Sequence, residues 1–199
     1  QYDNIFHEHV GYHSLHSINQ LAEKFNFKIF DCKIIESQGK TIRCFYKYTF
    51  KNIKKSSSVN SILKSEKKLL NKQTWLRFSK KIKKHKLLMK ELISKLKNKN
   101  KNISAYGASG KGQSLLQICK LNDKFLDYIF DKSKLKINKY SPYGKIKILD
   151  QSKINLYKPD YLLLLTWNLR KEIISQEKKY ITNGGKFIIP FPKPRIIKN

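Results

Sequence analysis

The amino-acid sequence predicts an α/β protein: a Rossmann-like, mostly parallel sheet domain preceded by a helix-hairpin segment and long amphipathic helices. Three observations predict it. From Asn102 onward short apolar runs alternate with stretches of helical spacing, the pattern of a parallel sheet buried between helices. The run Tyr161 to Leu165 is apolar throughout, as a central strand covered on both faces must be. A glycine-rich turn, Tyr106-Gly107-Ala108-Ser109-Gly110-Lys111-Gly112, leads from one such run directly into a helical pattern.

The elements follow in order. Leu15, Ile18, Leu21, Ala22 and Phe25 recur on one helical face, with Ser14 placed to cap the helix. Two strand-like runs, Phe27 to Ile35 and Thr41 to Tyr48, flank a turn at Gln38 and Gly39. After a serine-rich break at Ser56 to Ser58, Leu69, Leu76, Ile82, Leu87, Leu88, Leu92, Ile93 and Leu96 return at roughly helical spacing among many lysines. That pattern predicts one or two long amphipathic helices. Strands are expected at Ile103 to Tyr106, Tyr128 to Asp131, Tyr161 to Thr166 and Lys186 to Pro190, and helices at Lys111 to Leu121 and Leu169 to Lys179. The chain divides accordingly into a helix-hairpin segment over 1–55, a helical connector over 56–100 and the sheet domain over 101–199.

Composition narrows the function classes. The 199 residues, 40% of them hydrophobic, suffice for a real core. A formal charge of +29 points to an anionic partner such as nucleic acid or a membrane surface. The excess is almost all lysine spread along the whole chain, however, whereas nucleic-acid binders cluster arginine with stacking aromatics. Solvated lysines on an enzyme surface are the simpler reading, and nucleic acid is not the expected partner. Cys32, Cys44 and Cys119 show no CxxC spacing and indicate neither a zinc site nor a disulfide framework. With no signal peptide and no run long enough to span a bilayer, a cytoplasmic protein without a membrane partner is expected.

Two places concentrate chemistry. At the glycine turn, backbone amides and a helix N-terminus can face a phosphate, with Ser109 and Lys111 adding a donor and a charge. Asp131 ends the next strand, where an acidic side chain can meet a ribose hydroxyl. The bland alternative is that the glycines serve only a tight strand-to-helix turn. The second place is the start, where Tyr2, Phe6, His7, Glu8, His9, Tyr12, His13 and His16 crowd together. A histidine removes protons near neutral pH, and a neighbouring carboxylate can orient it. Metal binding competes as an idea, but His7-Glu8-His9 lacks the HExxH helix spacing and no further carboxylate ligand stands out, so no metal is expected. A purely structural histidine cluster stays open.

At these residues a family becomes recognisable. Tyr2-Asp3-Asn4-Ile5-Phe6-His7-Glu8-His9, with Tyr12, Ser14 and Leu15, resembles the YDxIYHEHxxYxSL segment of the S-adenosylmethionine-dependent sugar C-methyltransferases. The resemblance continues in Gln38-Gly39-Lys40-Thr41-Ile42-Arg43, similar to HGGSLR, and in Gly107 to Gly112, similar to GASAKG. It persists at Pro159-Asp160-Tyr161, at Thr166-Trp167-Asn168-Leu169, and from Gly184-Gly185 to Pro192, Pro194 and Arg195. It implies methyl transfer from S-adenosylmethionine to the carbon beside the ketone of a nucleotide-linked sugar, usually dTDP-linked. His9 is then the base that forms an enolate, with Glu8 and His7 orienting it or holding the enolate oxygen. Gly107, Ser109, Gly110, Lys111, Gly112 and Asp131 are implied to face the nucleotide, Trp167 and Asn168 to lie at the adjoining strand end, and Tyr2, Tyr12 and Arg43 to stand on the substrate side.

The sequence also departs from the family pattern. Phe6 replaces a usual tyrosine, whose catalytic role would then be lost or pass to Tyr2 or Tyr12. Gly110 replaces an alanine, Gln38 and Lys40 break paired glycines, and Lys193 stands where glutamate is frequent. The family's zinc-binding amino-terminal region and its donor-binding domain have no counterpart in these residues. The expectation is therefore a carboxy-terminal part whose methyl donor, and any zinc, belong to a region in the same chain or a partner. A nucleotide-sugar-binding module without catalysis is the alternative. A lysine-driven RNA-binding protein, recognised by affinity that collapses with salt, is the remoter one.

Overall fold

The computed structural model describes residues 2–36 and 40–197. The expected turn at Gln38 and Gly39 lies outside the described residues. Two compact units are present, residues 10–80 and residues 1–9 with 81–199.

In the first unit, helix α1 (Leu15–Glu23) begins where Ser14 takes the amide of Ser17, and Ser17 answers through the Ser14 amide. This reciprocal box satisfies two otherwise orphaned donors. The strands β1 (Phe27–Ile35) and β2 (Thr41–Tyr48) pair antiparallel with the expected bounds, with a bulge between Ile29 and Asp31. The serine-rich break is a helix start: Ser56 caps α2 (Ser57–Glu66) and also donates to Asp31 at 2.7 Å. Leu15, Ile29, Cys32 and Val59 form the unit's buried cluster. Leu21 and Phe25, expected on the apolar face of α1, stay 48% and 62% exposed, because Leu15 with the partly buried Ile18 makes the contact with that cluster.

The long helix α3 (Lys72–Lys97) follows, and from Lys81 it belongs to the second unit. Its buried stripe is His85, Met89, Ile93 and Leu96, while Leu87 points outward at 60% exposure. The helical period is as expected, but the stripe runs through a histidine and a methionine rather than through the leucines alone.

The second unit continues with β3 (Ile103–Tyr106), α4 (Gly110–Cys119), β4 (Ile129–Asp131), β5 (Ile148–Asp150) and α5 (Ile154–Tyr157). It closes with β6 (Tyr161–Leu164), α6 (Arg170–Gln176), α7 (Lys178–Thr182), β7 (Lys186–Ile189) and β8 (Arg195–Ile197). Among the described residues, six strands make one sheet in the order β5-β4-β3-β6-β7-β8, parallel except for β8. Counted within the sheet, that is the 3-2-1-4-5-6 order of a doubly wound Rossmann-like fold. Connections leave β3 in one direction and β6 in the other, so a crevice opens between their carboxyl ends. Tyr161 through Leu165 are all buried, as the apolar run requires.

The expected helix from Leu169 to Lys179 is two helices, broken at Glu177. Glu177 is buried and accepts the Tyr106 hydroxyl at 3.2 Å as well as the Gln151 amide. Drawing a carboxylate inward to those donors takes its backbone out of helical register. The strand expected to reach Thr166 ends at Leu164, because Trp167–Leu169 turns as a short 3-10 helix. At the other end of the sheet Asp127 takes Lys97 at 2.9 Å and the Ile103 amide at 3.0 Å, and Asp160 takes Lys101 at 3.1 Å and the Asn102 amide at 2.9 Å. The two carboxylates thereby fix where β3 starts. Among the described residues no helix is long and apolar enough to cross a membrane.

Candidate functional site

The crevice between β3 and β6 is where the amino-terminal segment lies. Tyr2 and Asp3 are buried, Phe6 is half-buried, and His7, Glu8 and His9 are exposed. Asp3 accepts the Trp167 indole N–H at 2.7 Å, tying the segment to the turn that follows β6. Ser114 of α4 donates to the Ile5 carbonyl at 2.6 Å. The Phe6 ring lies over Gly110, where an added Cβ would stand 2.8 Å from it.

Tyr2 makes the deepest anchor. Nε2 of His85 sits 2.7 Å from the Pro190 carbonyl, which only accepts, so Nε2 carries the proton. Nδ1 then accepts the Tyr2 hydroxyl at 2.9 Å, with Cys119 Sγ 3.6 Å from the same oxygen. His85 stacks on Phe191, ring centroids 4.6 Å apart and 7° from parallel, and Tyr2 meets Phe191 edge-on. Burial pushes the Tyr2 phenol well above its ordinary range and lowers His85 below its own, the latter opposed by the bond to Pro190.

A lowered histidine pKa means that the unfolded chain binds the proton more readily than the fold does. The contribution of His85 is therefore whole above the unfolded value of about 6.5 and is lost as pH falls below it. Thermal unfolding between neutral pH and pH about 5 should show a falling midpoint. His85→Gln, which offers both a donor for Pro190 and an acceptor for Tyr2, should flatten that fall.

His9 is set by the segment itself. Its Nδ1 lies 2.8 Å from the Asn4 carbonyl and so donates to it, leaving the lone pair of the neutral ring on Nε2. The Phe6 ring packs against it at 4.0 Å between centroids. Glu8 meets His7 at 3.7 Å, both side chains largely in solvent. A backbone carbonyl of the same segment thus holds the Nδ1 side of His9.

At the glycine turn, Ser109 caps α4 by accepting the Gly112 amide at 3.1 Å. Asp131 accepts the amides of Ala108 at 2.6 Å and Ser133 at 2.7 Å, one on each oxygen. Lys111 is buried, and its ammonium pKa is lowered by burial against the opposing pull of Asp3. The close approaches the glycines permit are to the chain's own side chains: Thr166 at Gly107, Phe6 at Gly110, Leu165 at Gly112. Beside the turn, Tyr106, Gly107, Asp131, Thr166, Glu172 and Gln176 line a cleft of about 170 Å³.

The structure therefore brings Tyr2, His7, Glu8, His9, Gly107, Ser109, Gly110, Lys111, Gly112, Asp131, Trp167 and the half-buried Asn168 into one unit, at one end of the sheet. Tyr12 and Arg43 belong to the other unit, both exposed. Sequence reasoning passed over Asp3, His85 and Phe191. Asp3 carried a signal, standing inside the recognisable motif; His85, 83 residues from Tyr2, carried none. No cluster of three or more histidine, cysteine or acidic side chains able to hold a metal occurs among the described residues.

The family model described as the C-methyltransferase C-terminal domain matches residues 36–192. C-methyltransferase NovU of Streptomyces niveus is 32% identical over 199 residues, an alignment that takes in 99% of this chain and 47% of NovU. The chain spans about half the length of this curated relative, and the segment from Tyr2 to His9, ahead of the family match, falls within that alignment. With most of its length matched by the family model and nearly all of it by the relative, this chain belongs to the C-methyltransferase C-terminal domain family.

Proposed function

We propose that this chain is the sugar-nucleotide side of a methyltransferase that methylates the carbon beside the ketone of a nucleotide-linked sugar, dTDP-linked, with His9 as the base. The observation that carries the reading is the bond from His9 Nδ1 to the Asn4 carbonyl. It fixes the tautomer whose Nε2 can take a proton, on a segment anchored at the carboxyl ends of a doubly wound sheet, the edge at which such folds bind ligands. Removal of that proton leaves an enolate, and His7, beside Glu8 on the same segment, is assigned the donation toward the developing oxyanion.

S-adenosylmethionine, on this reading, supplies the methyl group from a separate donor-binding region of the same polypeptide or a partner. At the glycine-rich turn, the space that an added Cβ would take at Gly107, Gly110 and Gly112 is occupied by Thr166, Phe6 and Leu165, so on that side these glycines serve the chain's own packing. The nucleotide is assigned to the cleft beside Gly107 and Asp131.

Proton removal needs no methyl donor and can be read alone. In D₂O the protein should exchange the hydrogen beside the ketone of a dTDP-linked ketosugar faster than buffer does, seen as deuterium gain by mass spectrometry and loss of one proton resonance. Calorimetric binding of the same compound without exchange would sink the base assignment and leave a nucleotide-sugar-binding module. Absence of binding would sink the placement of the nucleotide.

A further inference from the structure

The pairing of β1 with β2 sets Cys32 directly opposite Cys44. Opposed residues of an antiparallel pair project from the same face. Here it is the covered face: Cys32 is 1% exposed within the cluster of Leu15, Ile29 and Val59, and the half-exposed Cys44 packs against that cluster. Both are free thiols. Such opposed Cα atoms stand about 4.5–5.5 Å apart, inside the roughly 4.4–6.8 Å over which a disulfide closes without backbone movement.

Access is one-sided. Cys44 lines an open cleft with His13, Ser14, Ile18 and Thr41, whereas Cys32 lies behind it. Burial raises both thiols above the ordinary range, Cys32 further through Cys44 itself, while the neighbouring Tyr46 pulls Cys44 back. The outer sulfur, reached through the open cleft, is therefore the one that a small disulfide meets first.

We propose that Cys32 and Cys44 form a dithiol modification site that a low-molecular-weight disulfide converts to a cross-strand disulfide and a reducing dithiol restores. The Cys44 thiolate attacks one sulfur of the small disulfide, whose S–S bond breaks to release the first small thiol. The Cys32 thiolate then attacks Cys44 in the mixed disulfide and releases the second. The protein loses two electrons and two protons, and both small thiols leave protonated. Because the attacking species is the thiolate, the reaction speeds up as pH rises through the raised thiol range. Cys119, buried in the other unit, takes no part.

The site stands independently of the proposed methyl transfer. The test is incubation of the full chain with oxidised glutathione across a pH series, then non-reducing digestion and mass spectrometry. The expected product has lost the mass of two hydrogens, yields one peptide linked through Cys32 and Cys44, and reverts with dithiothreitol. Cys32→Ser should arrest as a glutathione adduct on Cys44, and Cys44→Ser should stay unmodified while folded. A stable Cys44 adduct in the wild type, a bridge to Cys119, or three unmodified thiols at the alkaline end of the series would each overturn the proposal.

Discussion

His9→Gln should lower solvent exchange beside the sugar ketone by about 10²–10⁴, the span over which a positioned general base contributes. Each decade is about 1.4 kcal/mol of barrier. Glutamine keeps a donor for the Asn4 carbonyl and a comparable length, so the Phe6 packing and the anchors at Asp3 and Tyr2 survive. Affinity for the sugar nucleotide should stay at the wild-type value. Glu8→Gln should cost far less, because the contact of Glu8 is with His7 and the bond to His9 comes from Asn4. Equal losses in both variants would mean that the carboxylate, not the carbonyl, prepares the imidazole. Isotope exchange followed by NMR for each variant, with calorimetry for affinity, decides between them.

The second large effect belongs to stability. Gly107 has φ +88°, and a Cβ there would stand 2.4 Å from Thr166 Oγ1 and 2.7 Å from its Cγ2. A left-handed backbone costs a non-glycine residue about 1–3 kcal/mol, and overpacking a filled site costs about 1–3 kcal/mol more. Gly107→Ala should therefore destabilise the sheet unit by roughly 2–6 kcal/mol in urea unfolding. Gly184 is the control: φ is +87° and nothing lies within 4 Å of its added Cβ, so Gly184→Ala should show the backbone part alone. Adding Thr166→Ala to Gly107→Ala should recover the packing part and leave the Gly184-like remainder. Full recovery would show that the steric contact alone demands glycine at this turn.

Much of the fold was legible because its signals are local. The apolar run at Tyr161, the cap at Ser14 and the alternation after Asn102 each report on a few neighbouring residues; α1 starts at its expected cap, and β6 starts at Tyr161 though it ends two residues short of Thr166. The strands Ile148–Asp150 and Arg195–Ile197 carried no signal, since three residues hold too little periodicity to read. The break at Glu177 depends on Tyr106 and Gln151, both far away in sequence.

The site divides the same way. The histidine-rich opening and the glycine turn stand out by residue type, whereas their relation does not: nothing in the sequence says that Phe6 covers Gly110 or that Trp167 holds Asp3. A glycine spaced for a phosphate and one spaced for a phenyl ring look alike. Cys32 and Cys44 lack a CxxC spacing, and only strand register makes them neighbours.

The anchoring of the amino-terminal segment also orders events during synthesis. Tyr2 waits for His85 and Asp3 for Trp167, the latter 164 positions further along the chain. On the ribosome the strands and helices from Ile103 onward have to emerge and assemble before those bonds can close, since contacts of such sequence separation are the slow ones. The first of these residues to be translated are therefore among the last to find their places, and the segment that carries His9 is anchored only once the sheet beneath it exists.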